Sequence, residues 1–203
     1  MRNYRNIWHQ RQYKNLKSIS PMSGKIKIFE GPRNSGKTFL ARKYAEIRNL
    51  PIYKFDFVGW FNRLDFPDDS RETHSFALGK ELMLMQLSRD GLLSDFILDR
   101  GIITVLSWGI LSGRIKEKEA YSQLDMIVDQ GLLKNCEIYF ITGDNPDTSP
   151  RNKDNWDFRD GDNGETEILE NLIDYIQNQP YNVYVHHIFN SFNEKTVDDL
   201  KLI

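Results

Sequence analysis

The sequence predicts an α/β fold built on a mainly parallel sheet, and three observations predict it. Short apolar runs such as Phe96-Ile97-Leu98 and Ile138-Tyr139-Phe140-Ile141 recur along the chain. Each is followed by a longer segment whose apolar residues repeat with helical spacing. A glycine-rich turn stands directly after the first such run. Strands alternating with helices in this way form parallel sheets covered by helices.

Lys25 to Glu30 reads as the first strand, with Ile26, Ile28 and Phe29 apolar. Gly31 to Gly36 is a turn, and Thr38 to Ile47 is a helix built on Leu40, Ala41, Tyr44 and Ala45. Pro51 to Val58 alternates and carries aromatics, as a second strand would. Asn62 to Arg71 is loop-like, and His74 to Asp90 reads as a long helix. Ser94 to Asp99 is a third strand, with helices over Ile103 to Leu111 and Glu117 to Leu133. Glu137 to Thr142 is a fourth strand, followed by a polar loop from Gly143 to Asn163. Glu165 to Gln177 is a helix with Ile168, Leu169, Leu172, Ile173 and Ile176 on one face. Asn182 to Phe189 is a fifth strand, and Val197 to Leu202 a short final helix.

Composition narrows the function. The 203 residues are 39% hydrophobic and 28% charged, as in a soluble globular protein of one domain with an appendage. The longest charge-free apolar run, Gly101 to Gly113, is too short for a bilayer, so no membrane span is expected. One cysteine, Cys136, allows no internal disulfide and no multi-cysteine zinc site, and a cytoplasmic location is expected. Seven basic residues and no acidic one precede Glu30, whereas from there on 20 basic residues face 29 acidic ones. The body is therefore not a broad nucleic-acid surface. Residues 1–21 read as a basic extension, with Tyr4, Trp8 and Tyr13 interleaved, ahead of a domain over 22–203. An arm touching nucleic acid and a loosely ordered extension both fit it, the second better. Met22 could equally be the initiator.

The sharpest feature is Gly31-Pro32-Arg33-Asn34-Ser35-Gly36-Lys37-Thr38, which matches G-x-x-x-x-G-K-[ST] between a strand and a helix. Gly31 lets the chain leave the strand sharply, and Gly36 lets backbone approach a phosphate. The amides of Asn34, Ser35, Gly36, Lys37, Thr38 and Phe39, with the helix N-terminus behind them, make a cradle for the phosphates of ATP. Lys37 suits the β and γ oxygens, and the Thr38 hydroxyl suits Mg²⁺. Asp99 and Arg100 close the third strand, where ligands of open α/β sheets sit. Asp99 is placed to hold Mg²⁺ through water, and Arg100 to neutralise a phosphate or orient an acceptor.

The segments IFEGPRNSGKT and, about sixty residues later, FILDRGIITVLSWG resemble the thymidylate kinase family and the related deoxynucleoside kinases. The resemblance implies a three-layer P-loop kinase fold with a five-stranded parallel sheet. It implies transfer of the ATP γ-phosphoryl group, with Mg²⁺, to a deoxynucleoside monophosphate or a deoxynucleoside. Asp99 and Arg100 stand where the family has its acidic-arginine pair, and Gly101 stands where members commonly have Ser or an aromatic. Asp56, with Trp60 after it, is similar to the acid that takes the proton from a sugar hydroxyl in the deoxynucleoside kinases. A solvated strand-edge acid is the other reading of Asp56. Arg63 and Arg71 could supply the charge that thymidylate kinases carry in this region.

The helix from His74 would wall the acceptor pocket, with Phe76, Met83 and Gln86 as candidate base contacts. An apolar stripe of this kind is more often core. The resemblance also implies a lid over about 144–163, with Arg151 the leading cation and Lys153 and Arg159 beside it. A solvated loop is the plainer reading of that segment. His186 and His187 suit packing, or a contact near the adenine, better than a metal. A polynucleotide 5′-kinase and a P-loop ATPase or nucleotide-binding regulatory module remain as alternatives. A homodimer stays open.

Overall fold

A computed structural model of the chain describes residues 25–54, 70–143, 164–179 and 183–190. Asp56, Trp60, Arg63, Arg151, Lys153, Arg159, the basic extension and the short final helix lie outside the described residues. The elements run β1 (Ile26–Glu30), α1 (Lys37–Arg48), β2 (Ile52–Lys54), α2 (Arg71–Arg89) and β3 (Phe96–Asp99). They continue with α3 (Ile102–Leu111), α4 (Glu117–Asp129), β4 (Cys136–Thr142), α5 (Glu165–Gln177) and β5 (Tyr184–Phe189). The five strands form one all-parallel sheet in the order β2-β3-β1-β4-β5.

The central strands are mostly apolar because both faces of the sheet are covered; the charged exceptions are Lys27, paired with Glu137 on the neighbouring strand, and the strand-end acids Glu30 and Asp99. Side chains alternate between those faces. Ile26 and Ile28 of β1, Phe96 and Leu98 of β3, and Ile138 and Phe140 of β4 pack under α2, α3, α4 and α5. Phe29, Ile97, Tyr139 and Ile141 point the other way, against Leu40, Ala41 and Tyr44 of α1. Phe29 stacks on Tyr139 with ring centroids 4.9 Å apart. Cys136 is buried at the start of β4, where burial pushes its thiol up to about 12, so it behaves as a small hydrophobe.

This arrangement brings two chain segments to the same edge. Phe29 is level with Asp99 and Glu30 with Phe140, so the turn after β1 and the end of β3 share the carboxyl edge of the sheet. The order reverses around β1, since one connection from it leads past β3 to β2 and the later strands lie on its other side. Open sheets of this type offer a crevice there. No described helix is long and apolar enough to cross a membrane.

Candidate functional site

The turn after β1 is built for close approach. Gly31 has φ +143°, and a Cβ there would lie 2.1 Å from the carbonyl oxygen of Ile141, so only glycine fits. Gly36, at φ +82°, is the left-handed residue from which α1 starts. No side chain caps this helix, and its first turn holds no acid.

The other described helices have their first turns answered. Ser70 Oγ accepts from Thr73 N at 3.1 Å ahead of α2, and Glu119 accepts the Lys116 N–H at 3.0 Å ahead of α4. Glu165 and Glu167 sit in the first turn of α5. At α3, Glu30 reaches across from the end of β1 and accepts from Gly101 N and Ile103 N, both at 3.0 Å, from Thr104 N at 3.4 Å and from the Thr104 hydroxyl. Burial raises the Glu30 carboxyl above its ordinary range, while these bonds favour its charged form. Among the described helices, α1 alone has no side-chain cap, no acid in its first turn and no carboxylate reaching its N–H groups from another element.

Lys37 follows directly. It is buried, with Nζ donating to the Pro32 carbonyl at 2.8 Å. Burial and then the nearby Arg100 lower its ammonium to about 7, with Glu165, Asp99 and Glu30 opposing. Thr38 Oγ1 donates to Asp99 Oδ1 at 3.1 Å. Asp99 is fully buried, and its other oxygen, Oδ2, has no hydrogen-bond partner. Ser35 Oγ and Arg100 Nη1 are buried without a partner as well. Three orphaned polar atoms around one loop are a large cost for a site meant to stay empty. A hydroxyl beside a half-used carboxylate is a hard-oxygen pair of the kind Mg²⁺ takes, so these residues fit that ion.

Arg100 holds φ +77°, unusual for a residue with a side chain. Its N–H donates to Phe29 O at 3.1 Å, which fixes the chain as it leaves β3. The guanidinium lies 5.5 Å from the Trp108 ring centroid, and that of Arg33, from the phosphate loop, lies 4.8 Å from it. Glu165 closes the group. It accepts from Trp108 Nε1 at 3.2 Å and from Arg33 N at 3.3 Å.

Gly31, Asn34, Ser35, Gly36, Lys37, Thr38, Asp99 and Arg100 are thus brought to one edge, with Phe39 in the first turn of α1. Gln86 is not. It lies in the last turn of α2, whose end feeds β3 from the amino edge, and its amide is held by Asp90 and Arg89. Phe76 and Met83 are exposed on α2 rather than part of the core. His186 stacks on Tyr139 at 4.9 Å and His187 lies against Phe140, on opposite faces of the sheet. Among the described residues no group of three or more His, Cys, Asp and Glu side chains could hold a metal.

Glu30, Arg33, Trp108, Glu165 and Asn190 were not marked as site residues by sequence. A charged residue ending an apolar strand, and a tryptophan in a nearly all-apolar helix whose N–H needs an acceptor, are the signals that could have found Glu30 and Trp108.

No protein-family model matches the chain, and no curated protein matches it by sequence. Solved structures do. NadR in complex with NR is similar with a TM-score of 0.60 at 15% identity, over 95% of this chain and 54% of that one. This chain therefore spans about half the length of NadR. Deoxyadenosine kinase from M. mycoides with dCMP and dCDP bound is similar at 0.54 and 12% identity, over 87% of this chain and 97% of that one. Thymidylate kinase from Ehrlichia chaffeensis is similar at 0.55 and 16% identity, over 89% of this chain and 96% of that one. The fold is that of the P-loop nucleoside and nucleotide kinases. The expected five-stranded parallel sheet is thereby borne out.

Proposed function

We propose that the protein is an ATP-dependent phosphotransferase that moves the γ-phosphoryl group to a deoxynucleoside monophosphate, as a thymidylate kinase does. The observation that carries this reading is the bare N-terminus of α1 beside the buried, half-used Asp99. The loop amides and the first turn of α1 would hold the β-phosphate, and Lys37 would meet the β and γ oxygens. Thr38 and Asp99 would hold Mg²⁺, which supplies charge neutralisation between those phosphates. Arg100, with Arg33 beside it, places cationic charge beyond the loop, where an anionic acceptor would need it. A phosphate oxygen of the acceptor attacks the γ-phosphorus while the bond to the β–γ bridging oxygen breaks, and ADP leaves. Such an acceptor is already deprotonated at neutral pH and needs no base. The lid over 144–163, with Arg151, would add a cation on closure and exclude water.

A deoxynucleoside acceptor is the second reading. Lys54 is level with Asp99 in the sheet, and Asp56, the candidate base, follows two residues later in sequence. The likeness in fold to a deoxyadenosine kinase keeps this reading beside the first.

The test is a panel of deoxynucleoside monophosphates, deoxynucleosides and a DNA oligonucleotide incubated with labelled ATP. Transfer to monophosphates is expected, and Lys37→Ala should abolish it. Asp99→Asn should raise the Mg²⁺ concentration needed for half-maximal transfer by roughly 10–100-fold. Undiminished transfer by Lys37→Ala, or ATP turnover indifferent to every acceptor, would sink the reading. Transfer to deoxynucleosides that is lost in Asp56→Asn would select the second one.

A further inference from the structure

Asn190 follows β5, and the reading above makes no use of it. Its backbone N–H donates to Thr142 O at 2.7 Å, which docks it on the end of β4. Its side chain crosses to the phosphate loop, 155 residues away in sequence, where Nδ2 donates to the Ser35 carbonyl at 2.9 Å. The residue is only 2% exposed. A carbonyl can only accept, so the amide must present its nitrogen to Ser35.

That contact controls more than one carbonyl. The Ser35 C=O and the Gly36 N–H belong to one planar trans peptide and point in opposite directions. Holding the carbonyl outward therefore aims the N–H inward, where an anion would sit. Among the described residues no other hydrogen bond holds the Ser35 carbonyl. Gly36, at φ +82°, is the residue most able to let the preceding peptide turn over. A turned peptide would present a carbonyl oxygen to the phosphate and remove a donor from the cradle.

We propose that Asn190 is a positioning residue for triphosphate binding: by gripping the Ser35 carbonyl it locks the Ser35–Gly36 peptide with its N–H facing the phosphate. The inference rests on the kinase reading, because the cradle matters only if a nucleotide occupies it. It ties nucleotide affinity to the end of β5, a strand that supplies no other donor to the loop among the contacts described.

The experiment is calorimetric titration of the full chain with MgADP between pH 5.5 and 8.5, for the wild type, Asn190→Ala and Asn190→Asp. Asn190→Ala should bind about tenfold more weakly. Asn190→Asp keeps the shape but at pH 8.5 turns a carboxylate toward a carbonyl, so it should bind more weakly still. As the pH falls the acid becomes a donor, and its affinity should climb back toward that of the wild type at the same pH. The Gly36 amide resonance should move in both variants and return in Asn190→Asp at low pH. An Asn190→Asp protein that tracks the wild type at every pH overturns the proposal. One that is equally impaired at every pH, or does not fold, assigns Asn190 to the fold and overturns it too. A wild type that gives no heat with MgADP removes the kinase reading and this inference together.

Discussion

Helices α1 and α3 begin at the same edge of the sheet, and their N-termini are treated in opposite ways. Each carries the partial positive charge of unpaired N–H groups. At α3 the charge is met from within, by the buried carboxylate of Glu30. At α1 nothing meets it: there is no cap and no acid in the first turn. The buried Lys37, first residue of α1, adds to the deficit. A sealed helix end is architecture, whereas an open one next to an orphaned carboxylate oxygen is, on the proposed reading, where an anion and a cation would sit together.

Unsealing α3 should have the largest effect. Glu30→Ala leaves three backbone N–H groups and the Thr104 hydroxyl without their acceptor, at a cost of about 2–4 kcal/mol. Thermal unfolding should fall by roughly 5–15 °C. An unchanged melting temperature would show that Glu30 is not a cap. Sealing α1 is the converse. Phe39 is 54% exposed in its first turn, so Phe39→Glu adds an acid there without disturbing the core. The fold should gain about 0.3–1 kcal/mol, while MgADP affinity drops by roughly tenfold, a loss of about 1.4 kcal/mol in binding. A variant that loses stability, or binds nucleotide as before, would break the contrast between the two helix ends.

Proton linkage sharpens the contrast further. Lys37 titrates near 7 in the free protein, so above that pH it is mostly neutral. A bound phosphate favours the ammonium, so binding at pH 8.5 should take up close to one proton. Affinity should decline as pH rises past 7. Titrations in buffers of different ionisation enthalpy measure the uptake, and Lys37→Arg should abolish it.

The smallest effect belongs to His74, far from either helix end in function. Burial lowers its pKa, while its bond to Gln123 at 2.9 Å opposes this. The unfolded chain therefore binds a proton more readily than the folded one. Stability from this group is complete above the ordinary histidine pKa and declines as pH falls below it. Denaturant midpoints taken between pH 7.5 and 5.5 should drop less in His74→Gln than in the wild type.

Much of the fold was legible because local pattern and tertiary role coincide. The β1, β3 and β4 runs are apolar because both faces of the sheet are covered, and the Gly31 to Thr38 spacing carries its own chemistry. Two boundaries were misjudged for physical reasons. Leu132 and Leu133 continue the apolar rhythm of α4 and are buried, but they lie in the turn after its end. Leu132 N bonds Ile127 O across Gly131, a left-handed residue that ends the helix. The sequence pattern starts α2 at His74, whereas Ser70 caps it one turn earlier. Within the site, the phosphate loop and the Asp-Arg pair were visible as motifs. The groups that hold them were not. Glu30 acts on residues 71 to 74 positions away, Glu165 on one 132 away and Asn190 on one 155 away. Such partners are chosen by the folded geometry, and no local spacing announces them.

The twisted backbone at Arg100 sets durability against turnover. A non-glycine residue in that hand of chain costs about 1–2 kcal/mol. Glycine would sit there at ease, giving a hardier protein stripped of its guanidinium. Screens that select only for heat resistance should therefore drift toward glycine at this position and collect sturdy, idle molecules.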